Sequence, residues 1–170
     1  MQTPPFSPKL SALVIERPLA KRSLLVELLK ELAFSVVIET HSVDTALDCM
    51  GMAAFDAIFV EVNSRRDGNF LFIRRVRLNR TLNPRVPIIV VSSNLHRDVI
   101  ERTRDVGANG FLAKPFSRAA VQLQLVRISN DRREFILTAT FAGPDRRRWN
   151  DPTYCGPERR LGDKADVLIG

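Results

Sequence analysis

Short apolar runs alternate with leucine-rich stretches at helical spacing along most of this chain. Leu10–Ile15 is a compact apolar run, and Leu19–Ala33 repeats leucines three and four residues apart, the spacing of an amphipathic helix. Phe34–Ile38 is apolar and β-branched, and Val43–Met52 reads as a second helix. Phe55–Val62 is almost continuously apolar, as a strand covered on both faces must be. Asn69–Asn79 predicts a basic amphipathic helix, Val86–Val91 another buried strand, and Leu95–Asp105 the next helix. Gly110–Ala113 predicts a short strand, and Ser117 is placed to cap a final helix reaching about Ile128. Five strand–helix units in this order predict an α/β fold, a doubly wound five-stranded parallel sheet. Reaction and ligand sites in such sheets lie along the carboxyl edge of the strands.

The flanks break this rhythm. Residues 1–9 hold three prolines and predict a flexible leader before a domain at 10–128. Residues 129–170 form an extension too rich in Arg, Gly and Pro to build a core, expected to be largely disordered until something binds. Within it Phe135–Phe141 alternates apolar with small polar residues and can form a short strand. The extension also repeats itself. Phe141-Ala-Gly-Pro-Asp-Arg-Arg147 and Tyr154-Cys-Gly-Pro-Glu-Arg-Arg160 share the pattern aromatic, any residue, Gly, Pro, acid, Arg, Arg.

Charge sharpens the picture. The 170 residues carry 26 basic and 19 acidic side chains, net +7, and arginine supplies 21 of the 26. After Val126, however, 9 basic residues face 7 acidic ones, a net of +2 (9 − 7). Interleaved acids suit a shaped site better than a grip on any polyanion. Cys49 and Cys155 match no metal or redox spacing and are expected to be free thiols in a reducing cytoplasm. No apolar run approaches the ~18 residues of a membrane helix, so membrane insertion is not expected.

Candidate chemistry gathers at the predicted strand ends. Strand one ends Val14-Ile15-Glu16-Arg17, strand three Val60-Glu61-Val62-Asn63, and strand four Val91-Ser92-Ser93; strand five leads into Lys114-Pro115-Phe116. Two acids, a hydroxyl and a Lys-Pro therefore converge. With Gly107-Ala-Asn-Gly-Phe-Leu-Ala-Lys-Pro-Phe116 and the Asp67-Gly68 pair, residues 9–127 resemble the CheY-like receiver domain of two-component response regulators, a flavodoxin-like fold. In that family an Asp ending strand three accepts a phosphoryl group, two strand-one acids help hold Mg²⁺, and a Ser/Thr and a Lys read the product. Here Glu61 stands at the acceptor position, one methylene longer than Asp. Misplacement by ~1 Å can cost ~10²-fold in rate. The strand-one pair is Ile15-Glu16, so one magnesium ligand is replaced by a side chain without oxygen, and Mg²⁺ demands near-octahedral oxygen ligation. Ser92, Lys114 and the switch aromatic Phe111 fit the family positions. The expectation is a pseudo-receiver with a vestigial site of Glu16, Glu61, Ser92 and Lys114. Either Glu61 mimics phosphorylation, held by Lys114, Arg17 or Arg65 in place of metal, or the site has simply decayed. No enzymatic activity, metal or cofactor is expected.

The repeat carries the expected ligand chemistry. Gly-Pro sets a turn, the preceding aromatic offers a stacking face, and arginine can chelate a phosphate or the O6/N7 edge of guanine. Asp145 beside Arg146 and Arg147, and Glu158 beside Arg159 and Arg160, supply an acid for the opposite guanine edge. Trp149 and Tyr154 can stack on bases, and Arg148, with Arg132 and Arg133 as further candidates, can neutralise phosphates. Two copies suit a two-fold symmetric ligand, and cyclic di-GMP fits. Residues 130–161 also resemble the arginine-rich stretch of Cle-type CheY-like proteins, which implies cyclic di-GMP binding. That resemblance further implies a protein partner at the flagellar motor or in surface attachment. The receiver resemblance puts the partner face near Arg97–Phe111. The competing expectations are an orthodox phosphorylated regulator, a protein-interaction module without nucleotide, and a nucleic-acid adaptor, the last disfavoured by the low tail charge.

Overall fold

The computed structural model describes residues 10–16, 24–79 and 82–145. Strands β1 (Leu10–Ile15), β2 (Phe34–Thr40), β3 (Ala57–Glu61), β4 (Ile88–Ser92) and β5 (Gly110–Ala113) form one sheet in the order β2-β1-β3-β4-β5. Every pairing is parallel. Helices α1 (Leu24–Glu31), α2 (Val43–Met52), α3 (Asn69–Leu78), α4 (Arg97–Asp105) and α5 (Arg118–Ser129) join them. This is the expected doubly wound sheet.

Strand alternation builds two core layers from one sheet. Leu13, Ile15, Ile58, Val60, Ile88 and Val90 face α2, α3 and α4, packing with Ala46, Phe70, Ile73 and Val99. The intervening Ala12, Val14, Ala57, Phe59, Ile89 and Val91 face α1 and α5, packing with Leu25, Leu29 and Val121. Successive strand side chains point to opposite faces, so a strand covered on both sides must be apolar throughout.

The expected bounds of β1, α2 and β5 match. The Ser117 hydroxyl caps α5 by accepting from the Ala120 amide at 3.2 Å. The expected helix at Leu19–Ala33 is described only from Leu24, since residues 17–23 lie outside the described residues. Phe55–Val62 yields a shorter strand, because the Asp56 carboxylate accepts the Ser11 amide at 2.7 Å and fixes the approach to β3.

Beyond α5 the chain continues into a hairpin. Strand β6 (Phe135–Leu137) pairs antiparallel with β7 (Ala142–Pro144). The first repeat unit thereby departs from its expected reading. Gly143-Pro144 is extended strand, not a turn. The turn is made upstream, where the Thr138 Oγ1 accepts the Phe141 amide at 2.9 Å and the Thr138 amide donates to the Phe141 carbonyl at 2.7 Å. Phe141 offers no stacking face, because it is buried along with Ala142, Gly143 and Pro144.

Two glycines let the hairpin seat on the body of the domain. Gly107 has φ +87°, and a Cβ there would lie 2.0 Å from the Ala142 carbonyl oxygen. A Cβ on Gly143 would lie 2.5 Å from the Gly107 Cα. Beside this contact Arg77, 1% exposed, anchors the junction. Its Nε donates to the Gly107 carbonyl at 2.8 Å, and Nη1 donates to the carbonyls of Pro84 (2.6 Å) and Val86 (2.8 Å). Nη2 donates to Asn109 Oδ1 at 2.7 Å, and the guanidinium lies 5.7 Å from the centroid of the Phe135 ring. Burial pulls the Arg77 pKa down to about 9, which leaves it charged at neutral pH.

Candidate functional site

The carboxyl edge of the sheet collects the expected residues, each delivered by a strand end. Glu16 follows β1, Glu61 ends β3, Ser92 ends β4, and Lys114 follows β5. Glu61 is 4% exposed and Ser92 is fully buried. The Lys114 Nζ donates to Glu61 Oε1 at 2.7 Å and to Glu16 Oε1 at 2.8 Å. One ammonium thus bridges two carboxylates from different strands. Burial by itself would lower the Lys114 pKa; hydrogen bonds to Glu16 and Glu61, and their charge, outweigh it and raise the pKa above the ordinary lysine value.

Of the three cations considered as a hold on Glu61, Lys114 is bonded to it. Arg17 lies outside the described residues, and Arg65 lines an open groove with Ser64, Arg66, Asn94 and His96.

The donor set does not fit Mg²⁺. Ile15, at the position of the missing acid, is 2% exposed and packs into the core with Leu13 and Val60. The space between the two remaining carboxylates is spanned by the Lys114 ammonium, and a divalent cation would have to displace it against charge repulsion. Among the described residues no group of three or more His, Cys, Asp or Glu side chains is arranged to hold a metal.

The surrounding loops are pinned by Asp67 and Ser92 together with Asn69 and Asn94, which the sequence did not single out. The Asp67 carboxylate accepts from the Asn63 amide at 2.9 Å and the Asn69 amide at 3.0 Å, closing the β3–α3 loop over its own helix start. Asn69 Nδ2 donates to the Glu61 carbonyl at 2.7 Å, and Asn94 Nδ2 donates to the Asn63 carbonyl at 3.0 Å. Ser92 Oγ accepts from the Asn94 amide at 3.0 Å, so this hydroxyl is tied into its own loop. Phe111 is half-buried against the core layer that contains Val99 of α4. Short polar residues near strand ends carried the signal, since Asn and Asp side chains habitually satisfy loop amides.

Of the expected ligand residues, Asp145, Arg132 and Arg133 are described; Arg146, Arg147, Arg148, Trp149, Tyr154, Glu158, Arg159 and Arg160 lie outside the described residues. The Asp145 amide donates to the Glu134 carbonyl at 2.8 Å, closing the base of the hairpin. Arg133 pairs with Asp131, and that hydrogen bond lowers the Asp131 pKa and raises the Arg133 pKa. Arg133 therefore already has a counter-ion, which leaves it poorly placed to neutralise a phosphate. Arg132 is exposed.

Residues 12–125 match the family described as the response regulator receiver domain. The chemotaxis protein CheY of Pseudomonas aeruginosa is 25% identical over 116 residues, which cover 68% of this chain and 93% of that protein. Among solved structures, the chemotaxis protein CheY4 of Vibrio cholerae is 23% identical with a TM-score of 0.63, covering 71% of this chain and 99% of that one. A histidine-kinase receiver domain from Pseudomonas aeruginosa, solved with a magnesium ion coordinated in its active-site cleft, is 25% identical with a TM-score of 0.60. It covers 72% of this chain and 100% of that one. The residues that match the family end at 125, before the hairpin begins.

Proposed function

The chain belongs to the response regulator receiver family, and we propose that it works there as a phosphorylation-independent cytoplasmic adaptor whose input is cyclic di-GMP. The observation that carries this reading is the Lys114 ammonium held between Glu16 and Glu61 at 2.8 and 2.7 Å. A receiver whose magnesium position is spanned by its own lysine needs another source of signal. The tandem Arg-rich units supply the chemistry for one.

In this reading Asp145, Arg146, Arg147, Glu158, Arg159 and Arg160 read guanine edges, Trp149 and Tyr154 stack, and Arg148, with Arg132, balances phosphate. The buried Phe141 changes the symmetry of the expected clamp. The first unit contributes its acid and arginines to the ligand while its aromatic fastens the unit to the body. Ordering the segment on its ligand would cost ~2–5 kcal/mol, to be recovered from those contacts. The bound form then presents a surface to a protein partner, in motility or surface attachment by analogy with the Cle-type proteins.

Titration of the full chain with cyclic di-GMP tests the ligand assignment. Arg147→Ala and Arg160→Ala are each expected to weaken binding by more than about 1 kcal/mol, the scale of a lost bidentate pair. Glu61→Gln is expected to leave affinity nearly unchanged, because it alters only the strand-edge latch. Equal losses from all three variants would contradict this division of labour. Preferential binding of single-stranded RNA, with a steep salt dependence, would favour the nucleic-acid adaptor instead.

A further inference from the structure

The groove that Arg65 lines runs between two helix starts. One wall is the loop before α3, with Arg65 and Arg66 exposed on it; the other is the first turn of α4, with His96, Arg97 and Asp98. Its volume is about 610 Å³. Arg65 and Arg66 form no hydrogen bond or ion pair with another described residue. Arg97 has such a partner, its Nε donating to Glu101 Oε1 at 2.7 Å. Asp98, the one acid in the lining, forms no ion pair among the described residues.

Nothing in the helices relieves the charge of the two free guanidinium groups. A helix amino end carries partial positive charge, so it disfavours cations placed beside it. No side chain caps α4, since His96 at its N-cap makes no capping hydrogen bond. The start of α4 and the forks of Arg65 and Arg66 therefore present donors to the same space. The two walls are also fixed to each other. Asn94 Nδ2 donates to the Asn63 carbonyl at 3.0 Å, and Asn94 Oδ1 accepts from the His96 amide at 3.0 Å. The Asp67 amide donates to the Ser64 carbonyl at 3.1 Å, which closes a turn with Arg65 and Arg66 at its tip. A ligand that meets this arginine pair does not have to order the backbone that carries it, so less of the contact energy is spent.

We infer that this groove binds an acidic peptide segment of a partner protein, whose carboxylates pair with Arg65 and Arg66. Size and charge pattern select that class. At about 30 Å³ per water, 610 Å³ corresponds to roughly twenty waters, far more than one inorganic anion displaces. Asp98 would repel a uniform phosphate backbone, whereas a peptide sets carboxylates against the arginines and an amide against the acid. The ties that hold the walls are made by the chain's own Asn and Asp side chains, so the groove exists without phosphorylation and without a nucleotide. The inference goes beyond the proposed function and does not depend on cyclic di-GMP.

The test follows the backbone amide resonances of the full chain during titration with an octapeptide of alternating Glu and Ser. An octapeptide of alternating Lys and Ser and a single-stranded thymidine oligonucleotide form the other arms. The amides of Ser64, Arg65, Arg66, His96, Arg97 and Asp98 are expected to shift with the Glu-Ser peptide and to ignore the Lys-Ser peptide. Arg65→Gln/Arg66→Gln, at two exposed positions, is expected to weaken the Glu-Ser peptide by roughly threefold or more, the scale of two surface ion pairs. An unchanged urea midpoint serves as the folding control, and the wild-type shift map stands whatever the variant does. Shifts centred elsewhere in the chain, equal shifts from the Lys-Ser peptide, or a loss below threefold in the folded variant each overturn the groove. Should the oligonucleotide shift these amides at lower concentration than the peptide, the site is a nucleic-acid contact and the peptide assignment falls.

Discussion

Replacing Lys114 by methionine is expected to lower stability at neutral pH by ~2–4 kcal/mol, read as a drop in the urea midpoint. The change removes the ammonium that the Glu16 and Glu61 carboxylates share, and Glu61 is 4% exposed. Breaking a buried pair by removing one partner typically costs 3–5 kcal/mol. The estimate is reduced because the lysine side chain is 25% exposed and water screens part of the loss. The sign of the pH dependence is a sharper readout than the size. In the wild type the folded-state pKa of Lys114 lies above its ordinary value of 10.5. Its stabilisation is therefore complete below that value and is lost only as pH rises through the raised pKa. Lys114→Met is expected to abolish this alkaline component. Adding Glu61→Gln to Lys114→Met is expected to recover much of the loss, since it removes one of the two opposed charges. A variant as stable as wild type at pH 7 would mean that the bridge contributes nothing.

Arg77→Met is expected to be the second severe change, costing about 3 kcal/mol or more. Three carbonyls and Asn109 Oδ1 would lose a charged donor. Each buried acceptor left unpaired costs ~1–3 kcal/mol, less than additively because all four share one side chain. The cation–π contact to Phe135 disappears as well. Since Arg77 binds the carbonyl of Gly107, against which Gly143 is packed, the hairpin is expected to loosen before the sheet does. Hydrogen exchange checks the order of events: amides of residues 135–144 should lose protection while those of β3 and β4 keep theirs. Uniform loss across the domain would show that Arg77 supports the whole core and not the junction.

The parallel sheet was legible because burial on both faces leaves a strand little choice of residue. Runs such as Ile58–Val60 and Ile88–Val91 carry that constraint openly. The strand-edge cluster was legible too, since Glu16, Glu61, Ser92 and Lys114 sit immediately after apolar runs and must emerge together. What stayed hidden depends on contacts distant in sequence. Phe141 looked like a stacking residue because an aromatic before Gly-Pro is the same string whether it meets a base or a core. Its burial follows from the seat at Gly107, and no local pattern connects those two positions. Arg77 is one of several arginines on a basic helix, and none of them was singled out. Its place four residues beyond Ile73 and seven beyond Phe70, both fully interior, put it on the buried stripe of α3. That Lys114 reaches both Glu16 and Glu61 required distances.

The most direct test of the central claim is intact mass spectrometry of the full chain after incubation with acetyl phosphate and Mg²⁺. With Lys114 bridging Glu16 and Glu61, and Ile15 in place of a metal-binding acid, the mass is expected to stay that of the unmodified protein. A stable species heavier by one phosphoryl group, abolished by Glu61→Gln, would contradict the claim that this receiver works without phosphorylation.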